Sequence, residues 1–416
     1  MLLQFLVENY ASIKSEQILS LVPSTDKEHP ENINTRGKSK ALNTIAIYGA
    51  NASGKSSLYK ALTTALIIIR SSNIRQVNDA IPVLPFKFDN DSGNKPSRFE
   101  FTFIADDEKK YVYGYSATFN RVCEEYLYRY NSSKASLVFE RKDDNFSFSR
   151  STKAELEPII RMNTSNKLFI ATATAWNTPC TTPAYKWLSE SIDSFTNDEH
   201  VRNFALDKYR QKNEEHSKFA KELLKQADIN ISNISVESKK IDLNSNNQVP
   251  ALIINGQIIP QEHYQIKITT GHTVKTDKGE RTYQLSLNEE SLGTQQLFYF
   301  SPILKETLDN GKVLVVDELD RSMHPFIVKF LVDVFRNKNI NKNNAQLIFT
   351  THETSLLSLN TFRRDQIYFT EKNSDNGVTD LYSLDDFSVR KDENIEKGYL
   401  LGRYGAIPYL HTEEII

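Results

Sequence analysis

Eight consecutive residues, Gly49-Ala50-Asn51-Ala52-Ser53-Gly54-Lys55-Ser56, match the pattern G-x-x-x-x-G-K-[ST]. The glycines of such a loop let backbone N–H groups wrap phosphate oxygens, and the helix that follows adds a favourable field at its N-terminus. In that chemistry Lys55 reaches the β- and γ-phosphates of a nucleotide and the Ser56 hydroxyl ligates Mg²⁺. Ser57 completes the expected nucleotide-binding stretch. Downstream, Val313-Leu314-Val315-Val316 is an apolar strand that ends in Asp317-Glu318. There Asp317 suits an outer-sphere Mg²⁺ carboxylate, and Glu318 is placed to polarise an attacking water. A third apolar strand, Leu347-Ile348-Phe349, ends at Thr350-Thr351-His352, where an imidazole can sense a γ-phosphate. Just before the acidic strand, Glu289-Glu290-Ser291-Leu292-Gly293-Thr294-Gln295-Gln296 opens a helix with a hydroxyl and a glycine, a second place for an anion. Taken alone, that segment reads as a plain N-cap.

These residues need elements that hold them. Residues 44–48 form a short buried strand before the loop, and residues 55–70 an apolar-periodic helix after it, giving a strand–loop–helix unit. Residues 2–7 and 18–22 also read as strands. Residues 24–40, with Pro30, Gly37 and many charges, read as a surface loop. From 99 to 150 aromatic and polar residues alternate in short runs separated by turn-like breaks, the pattern of an antiparallel meander. Helical stretches follow at 152–162, from near Pro183, and over 198–226. Asn255-Gly256 between apolar runs signals a hairpin, strands continue at 264–269 and 282–287, and a final α/β block occupies 291–386. The expected organisation is an N-terminal lobe with the phosphate loop and the meander at 1–151, a helical and hairpin insertion at 152–275, and a C-terminal lobe at 276–416.

Composition sets the outer bounds. With 39% hydrophobic and 25% charged residues the chain is globular rather than disordered. A net charge of −2 argues against a broadly basic nucleic-acid coat, while leaving room for a local basic groove. Cys123 and Cys180 lack metal-ligand spacing and read as reduced thiols. The start MLLQFLVENY has no leader pattern, and no apolar run is long enough to cross a bilayer, so a cytoplasmic location is expected.

The four segments and their order resemble the ATPase heads of the ABC superfamily, in the branch with RecF, the SMC proteins and OLD-type ATPases. Asn51 matches the asparagine of that branch's G-x-N-x-S-G-K-S loop. The resemblance implies that Ser291, Gly293 and Thr294 belong to a signature segment contacting ATP held by a second copy. It further implies that Asp317 and Glu318 are the Walker B pair, that Asp320 lies in the D-loop Leu319-Asp320-Arg321-Ser322, and that His352 is the switch histidine. More narrowly, FLVENYASIKSEQILSL, LPFKFD, LLKQADINISNISVE, EESLGTQQLF, DELDRSMHP, TTHET and YLLGRYGAIPYL together resemble the AAA_15/AAA_21 group of bacterial ATPases, which includes RloA and AbiL-type abortive-infection ATPases. No Mg²⁺-binding glutamine is assigned; Gln76 lies in the right interval, but the family-like segment there, Pro85-Phe86-Lys87-Phe88, has none.

The expected fold is therefore α/β: a P-loop ABC-type ATPase head with an antiparallel β-meander subdomain and a compact helical and hairpin insertion. The resemblance implies ATP and Mg²⁺ as cofactors, Glu318, His352 and Lys55 as catalytic residues, and a homodimer or higher assembly. It also implies a regulatory role in antiphage defence beside a nuclease-like or Toprim-like effector encoded nearby, with nucleic acid a further possible partner and no membrane. The alternative is a RecF-like DNA-repair or DNA-clamp ATPase. A transporter subunit fits poorly with the meander. A stand-alone nuclease lacks a second acidic cluster, Asp385-Asp386 reading as solvated loop acids. The segment around Arg403-Tyr404-Gly405 is expected to dock either on its own core or on a partner.

Overall fold

Every residue of the strand Thr44–Tyr48 is buried, which requires cover on both faces and neighbours on both edges. In the computed structural model, which describes residues 1–132, 134–196, 198–241, 252–254, 257–259 and 263–408, that strand sits inside a six-stranded sheet. The order is Ile192–Phe195, Val313–Val316, Gln346–Thr350, Thr44–Tyr48, Ile367–Lys372, Thr379–Ser383. The first five run parallel and the last is antiparallel. The carboxyl ends of three adjacent parallel strands thus carry the phosphate-type loop, the Asp317-Glu318 pair and His352. Crevices at such strand ends are where open α/β sheets hold ligands.

The chain divides into two compact units: residues 1–196, 307–321 and 328–416 form the first, and residues 197–306 and 322–327 the second. In the first, the helix Lys55–Ser71 buries Leu58, Leu62, Ala65, Leu66 and Ile69, the i, i+3, i+4 stripe expected of a core-facing helix. A second, seven-stranded sheet contains the meander Ser97–Ile104, Lys110–Ala117, Val122–Tyr130, Ala135–Lys142 and Asn145–Phe148, extended by Leu2–Glu8 and Gln17–Ser20. Its period-2 aromatics explain the alternation in the sequence: Phe99, Phe101, Phe103, Tyr111, Tyr113 and Tyr115 are all buried. Phe103 stacks on Trp187 with ring centroids 4.1 Å apart, and Tyr115 Oη donates to Ala65 O of the loop-bearing helix at 3.0 Å. The meander is therefore fastened to the helix that follows the loop.

The second unit contains the helices Asp198–Gln211 and Asn213–Gln226, the sheet Asn233–Ile241, His263–Thr276, Gly279–Ser286, and the strand pair Leu252–Ile254 and Gln257–Ile259. The expected Asn255-Gly256 turn lies outside the described residues. Tyr209 stacks on Phe298 at 4.7 Å, pinning the first of these helices to the one beginning at Leu292.

Three expectations change. Residues 24–40 are not all loop: Ile33–Arg36 and Ser39–Leu42 pair around Gly37, whose φ of 59° suits the turn. This hairpin is anchored by buried polar groups, with Asn32 Nδ2 donating to Thr361 O and Asn34 Nδ2 to Ala345 O, both at 3.0 Å. The helix Phe169–Ala175 is an addition to the expected elements; its first N–H groups, Phe169 and Ile170, are capped by the buried Glu125 carboxylate of a meander strand. The divisions at 151/152 and 275/276 also differ from the two units, because Ile192–Phe195 pairs into the main sheet and Gly279–Ser286 pairs with His263–Thr276. The segment ending at Ala406 packs on its own unit: Tyr404 is buried, and Tyr382 Oη donates to its carbonyl at 2.8 Å. The last part of the expected tail, residues 409 and 410, lies outside the described residues.

Candidate functional site

The loop between Thr44–Tyr48 and Lys55–Ser71 is fixed by steric fit. Gly54 has φ 114°, and a Cβ there would lie 2.3 Å from Thr379 Cγ2. A Cβ on Gly49 would approach Ser53 Oγ to 2.4 Å and Thr370 O to 2.6 Å. Only glycine fits either place. Behind the loop runs a chain of hydroxyls. Ser53 Oγ lies 2.7 Å from Thr370 Oγ1, and Thr379 Oγ1 lies 3.1 Å from Ser53 O and 2.8 Å from Ser12 Oγ. Ser12 Oγ in turn donates to Ser57 Oγ at 2.8 Å. Asn51 and Ala52 are exposed at the crest of the loop, and Ser56 is half-buried at the start of the helix.

Lys55 is 5% exposed, and its Nζ donates to Gly49 O at 2.7 Å and Ala50 O at 3.1 Å. Burial lowers its pKa, while the charges of Asp317, Glu318 and Asp320 act in the opposite sense. Those three acids therefore lie within electrostatic reach of the ammonium. The ammonium's contacts at Gly49 O and Ala50 O are to neutral carbonyls, which bond a cation less strongly than charged oxygens do.

The acidic strand end is organised by Thr350, at the end of the neighbouring strand. Its Oγ1 donates to Asp317 Oδ1 at 2.7 Å and accepts the Glu318 N–H at 2.7 Å. Thr350 O accepts the Leu319 N–H at 3.1 Å. Glu318 takes a left-handed backbone conformation, φ 56°, which turns the chain sharply at the site and leaves its side chain exposed. The Asp320 carboxylate accepts the His352 N–H at 3.2 Å through Oδ2; among the described residues, Oδ1 is buried without a hydrogen-bond partner. The imidazole of His352 is held below the ordinary histidine pKa, first by partial desolvation and then by the Lys55 charge.

The structure thus brings together Gly49–Ser57, Asp317, Glu318, Asp320 and His352 within one unit. Ser291, Gly293 and Thr294 belong to the other unit. There Ser291 Oγ accepts the Thr294 N–H at 3.1 Å, an N-cap on an exposed helix start, and Leu292 is 70% exposed. Gln76 is exposed, with its amide turned to Ile74 O. Asp385 and Asp386 are exposed too, and Asp386 caps Ser383 N–H. The hydroxyls of Ser12, Thr350, Thr370 and Thr379 carry much of the site's geometry; Thr350 lies within the histidine strand end, yet sequence reading gives none of the four a role. The donor set at the strand ends, a Ser56 hydroxyl and an Asp317 carboxylate steadied by Thr350, consists of hard oxygens of the kind Mg²⁺ takes. Among the described residues no group of three or more His, Cys, Asp or Glu is placed to hold a metal ion by itself, and no helix is long and apolar enough to cross a membrane.

A family model, AAA_21, described as "AAA domain, putative AbiEii toxin, Type IV TA system", matches residues 45–358. That span runs from the strand before the loop to just beyond His352. No curated protein matches the chain. Among solved structures, the chain is similar to the SmcHead bound to the C-winged helix domain of ScpA, with 12% identity, TM-score 0.39 and coverage of 92% of this chain and 97% of that one. It is also similar to the recombination mediator protein RecF with ATP, with 14% identity, TM-score 0.37 and coverage of 92% and 99%.

Proposed function

This chain belongs to the AAA_21 family, and from that membership we propose that it binds ATP with Mg²⁺ and hydrolyses it at sites shared by two copies. We further propose that it is the sensor or regulatory subunit of a bacterial antiphage, abortive-infection system. In that role its ATP-bound assembly restrains or releases a toxic, nuclease-like or Toprim-like effector encoded nearby. The observation that carries the ATPase reading is the desolvated Lys55 ammonium, parked on Gly49 O and Ala50 O within the field of Asp317 and Glu318.

In this reading Lys55 Nζ exchanges its two carbonyl partners for β- and γ-phosphate oxygens, while the N–H groups of residues 50–56 wrap the same phosphates. Ser56 and Asp317 would hold Mg²⁺, which would supply charge neutralisation on the phosphates when bound. Glu318 accepts the proton of the attacking water. His352 stays neutral near pH 7 and meets the γ-phosphate as a hydrogen-bonding group, its main chain steadied by Asp320. Asp320 Oδ1, a buried acceptor with no hydrogen-bond partner among the described residues, suits a donor brought by the second copy. Ser291 and Gly293, at a helix start whose first residues are exposed, suit the phosphates of a nucleotide held by that copy, with the buried Thr294 behind them bonded to Ser291 Oγ.

The defence role is supported by the toxin–antitoxin wording of the family description and by the physics of a shared nucleotide. Moving an assembly from mostly closed to mostly open takes about 5.5 kcal/mol of differential binding, within reach of two nucleotides and an interface. The test is co-expression with the neighbouring effector gene under phage challenge. Protection that vanishes with Lys55→Ala supports the proposal. ATP-dependent DNA binding by the chain alone, with no effect of any neighbour, favours a RecF-like clamp instead.

A further inference from the structure

The chain reaches Ser291 from the strand Gly279–Ser286 through the 3-10 turn Leu287–Glu289. That turn is closed locally, with the Ser286 N–H donating to Glu289 Oε2 at 2.7 Å. Glu290, the next residue, makes no such local cap. Its side chain is 9% exposed and reaches back to His263–Thr276, the middle strand of the three-stranded sheet. Glu290 Oε1 accepts the Thr270 hydroxyl, and His272 Nε2 lies 2.7 Å from the same oxygen. The Glu290 carbonyl accepts the Gln295 side-chain amide at 2.8 Å, in the first turn of the helix whose Thr294 N–H is capped by Ser291 Oγ.

A carboxylate leaves water at tolerable cost only where hydrogen-bond donors replace the water. Both donors here stand on one strand, two residues apart and so on one face of the sheet. That strand is paired along both edges, to Asn233–Ile241 and to Gly279–Ser286, and Thr270 is fully buried. Gly271 between them is closely packed, since a Cβ there would lie 3.3 Å from both Asn233 Cβ and Thr282 Cγ2. The donors therefore sit on a rigid support, and bonds to an ionised oxygen are the stronger kind. The clamp ends one residue before Ser291, which is exposed together with Leu292.

We propose that Glu290 is a positioning residue for the signature segment. Its carboxylate, gripped by Thr270 and His272, fixes where the Ser291 hydroxyl and the start of the helix Leu292–Asn310 meet a nucleotide held by a second copy. The inference rests on the shared-site reading above and adds a residue that acts through Ser291 rather than on the nucleotide. Glu290→Ala frees the residue before Ser291 from the strand and leaves the Ser291–Thr294 cap in place. A displacement of about 1 Å at a positioned group can cost on the order of 100-fold in rate.

The test places Glu290→Ala on one copy or the other of a mixed dimer of the full chain and measures ATP turnover. The control mixture is Lys55→Ala with Ser291→Arg, whose one composite site uses the signature of the Lys55→Ala copy. Added to the Lys55→Ala copy, Glu290→Ala lowers the recovered turnover by roughly 10- to 100-fold. Added to the Ser291→Arg copy, whose signature is already blocked, it leaves the recovered turnover at the control value. A general loss of folding or dimerisation would lower both mixtures alike. Glu290→Gln on the Lys55→Ala copy keeps an acceptor for Thr270 and His272 and restores most of the rate. Equal turnover from the two placements, whether high or low, overturns the positioning role, while recovery in the control keeps the shared site. A control mixture that recovers nothing removes the shared-site reading and this role with it.

Discussion

The Thr350 hydroxyl donates to Asp317 Oδ1 at 2.7 Å, and the same oxygen receives the N–H of Glu318 at 2.7 Å. One side chain on one strand thus sets both acids at the end of its neighbour. Thr350→Val keeps the shape and removes both bonds. Groups that orient a metal or catalytic carboxylate typically matter by 10–100-fold, so ATP turnover falls by about that factor while the thermal midpoint moves little. Thr350→Ser restores most of the rate. A Thr350→Val protein with wild-type turnover removes Thr350 from this role.

Lys55→Ala and Glu318→Gln separate binding from chemistry. Loss of the ammonium leaves phosphate charge uncompensated, so Lys55→Ala binds ATP weakly or not at all. Glu318→Gln keeps the loop and loses the base, so it binds ATP and hydrolyses it on the order of 10²–10⁴-fold more slowly. Equilibrium binding and single-turnover hydrolysis on both variants check the pair.

The fit of Gly54 against Thr379 makes the loop sensitive to a single methyl. Gly54→Ala places Cβ 2.3 Å from Thr379 Cγ2 at a φ that alanine rarely adopts. ATP binding is lost in this variant although the loop's charge is unchanged. Thr379→Val has a milder effect, since it keeps the volume and removes the hydroxyl beside Ser53 O and Ser12 Oγ. A several-fold rise in ATP Kd is expected there.

How much of this can be read from residue order follows from where the information sits. The phosphate loop, the acidic strand end and the histidine strand end are contiguous runs of six to eight residues, so their spacing alone exposes them. Ser12, Thr350, Thr370 and Thr379 each contribute one hydroxyl from a separate stretch of chain, and only the assembled sheet makes them neighbours. Residues 33–40 read as loop because their anchors, Asn32 and Asn34, are buried polar groups satisfied by carbonyls more than 300 residues away. Phe169–Ala175 lacks a local capping side chain because its cap is Glu125, 44 residues earlier. The aromatic meander, whose signal is strict alternation, is fully legible.

His216 gives a pH signature. It is buried in the second unit beside Tyr209, with Glu306 3.7 Å away and Glu215, Lys305 and Lys208 also acting on it. Burial, the largest cause, lowers its pKa below the ordinary histidine value. The unfolded chain therefore binds this proton more readily than the folded one. Its contribution to stability is complete above about pH 6.5 and declines as pH falls below that value, levelling off under the folded pKa. His216→Leu flattens the fall of the thermal midpoint between pH 7 and pH 5. An unchanged slope rules out this assignment.

Hydrolysis of ATP at sites completed by a second copy of the chain has a direct test. The direct measurement is ATP turnover by a mixture of Lys55→Ala, which lacks the phosphate lysine, and Ser291→Arg, which blocks the signature helix start. Each variant alone has no intact composite site, whereas a mixed dimer has one, built from the loop of the Ser291→Arg copy and the signature of the Lys55→Ala copy. The two inactive preparations are expected to become active on mixing, with a rate that rises with protein concentration toward a fraction of the wild-type value. Activity in Ser291→Arg alone, or no recovery on mixing while both variants remain folded and dimerise, contradicts it.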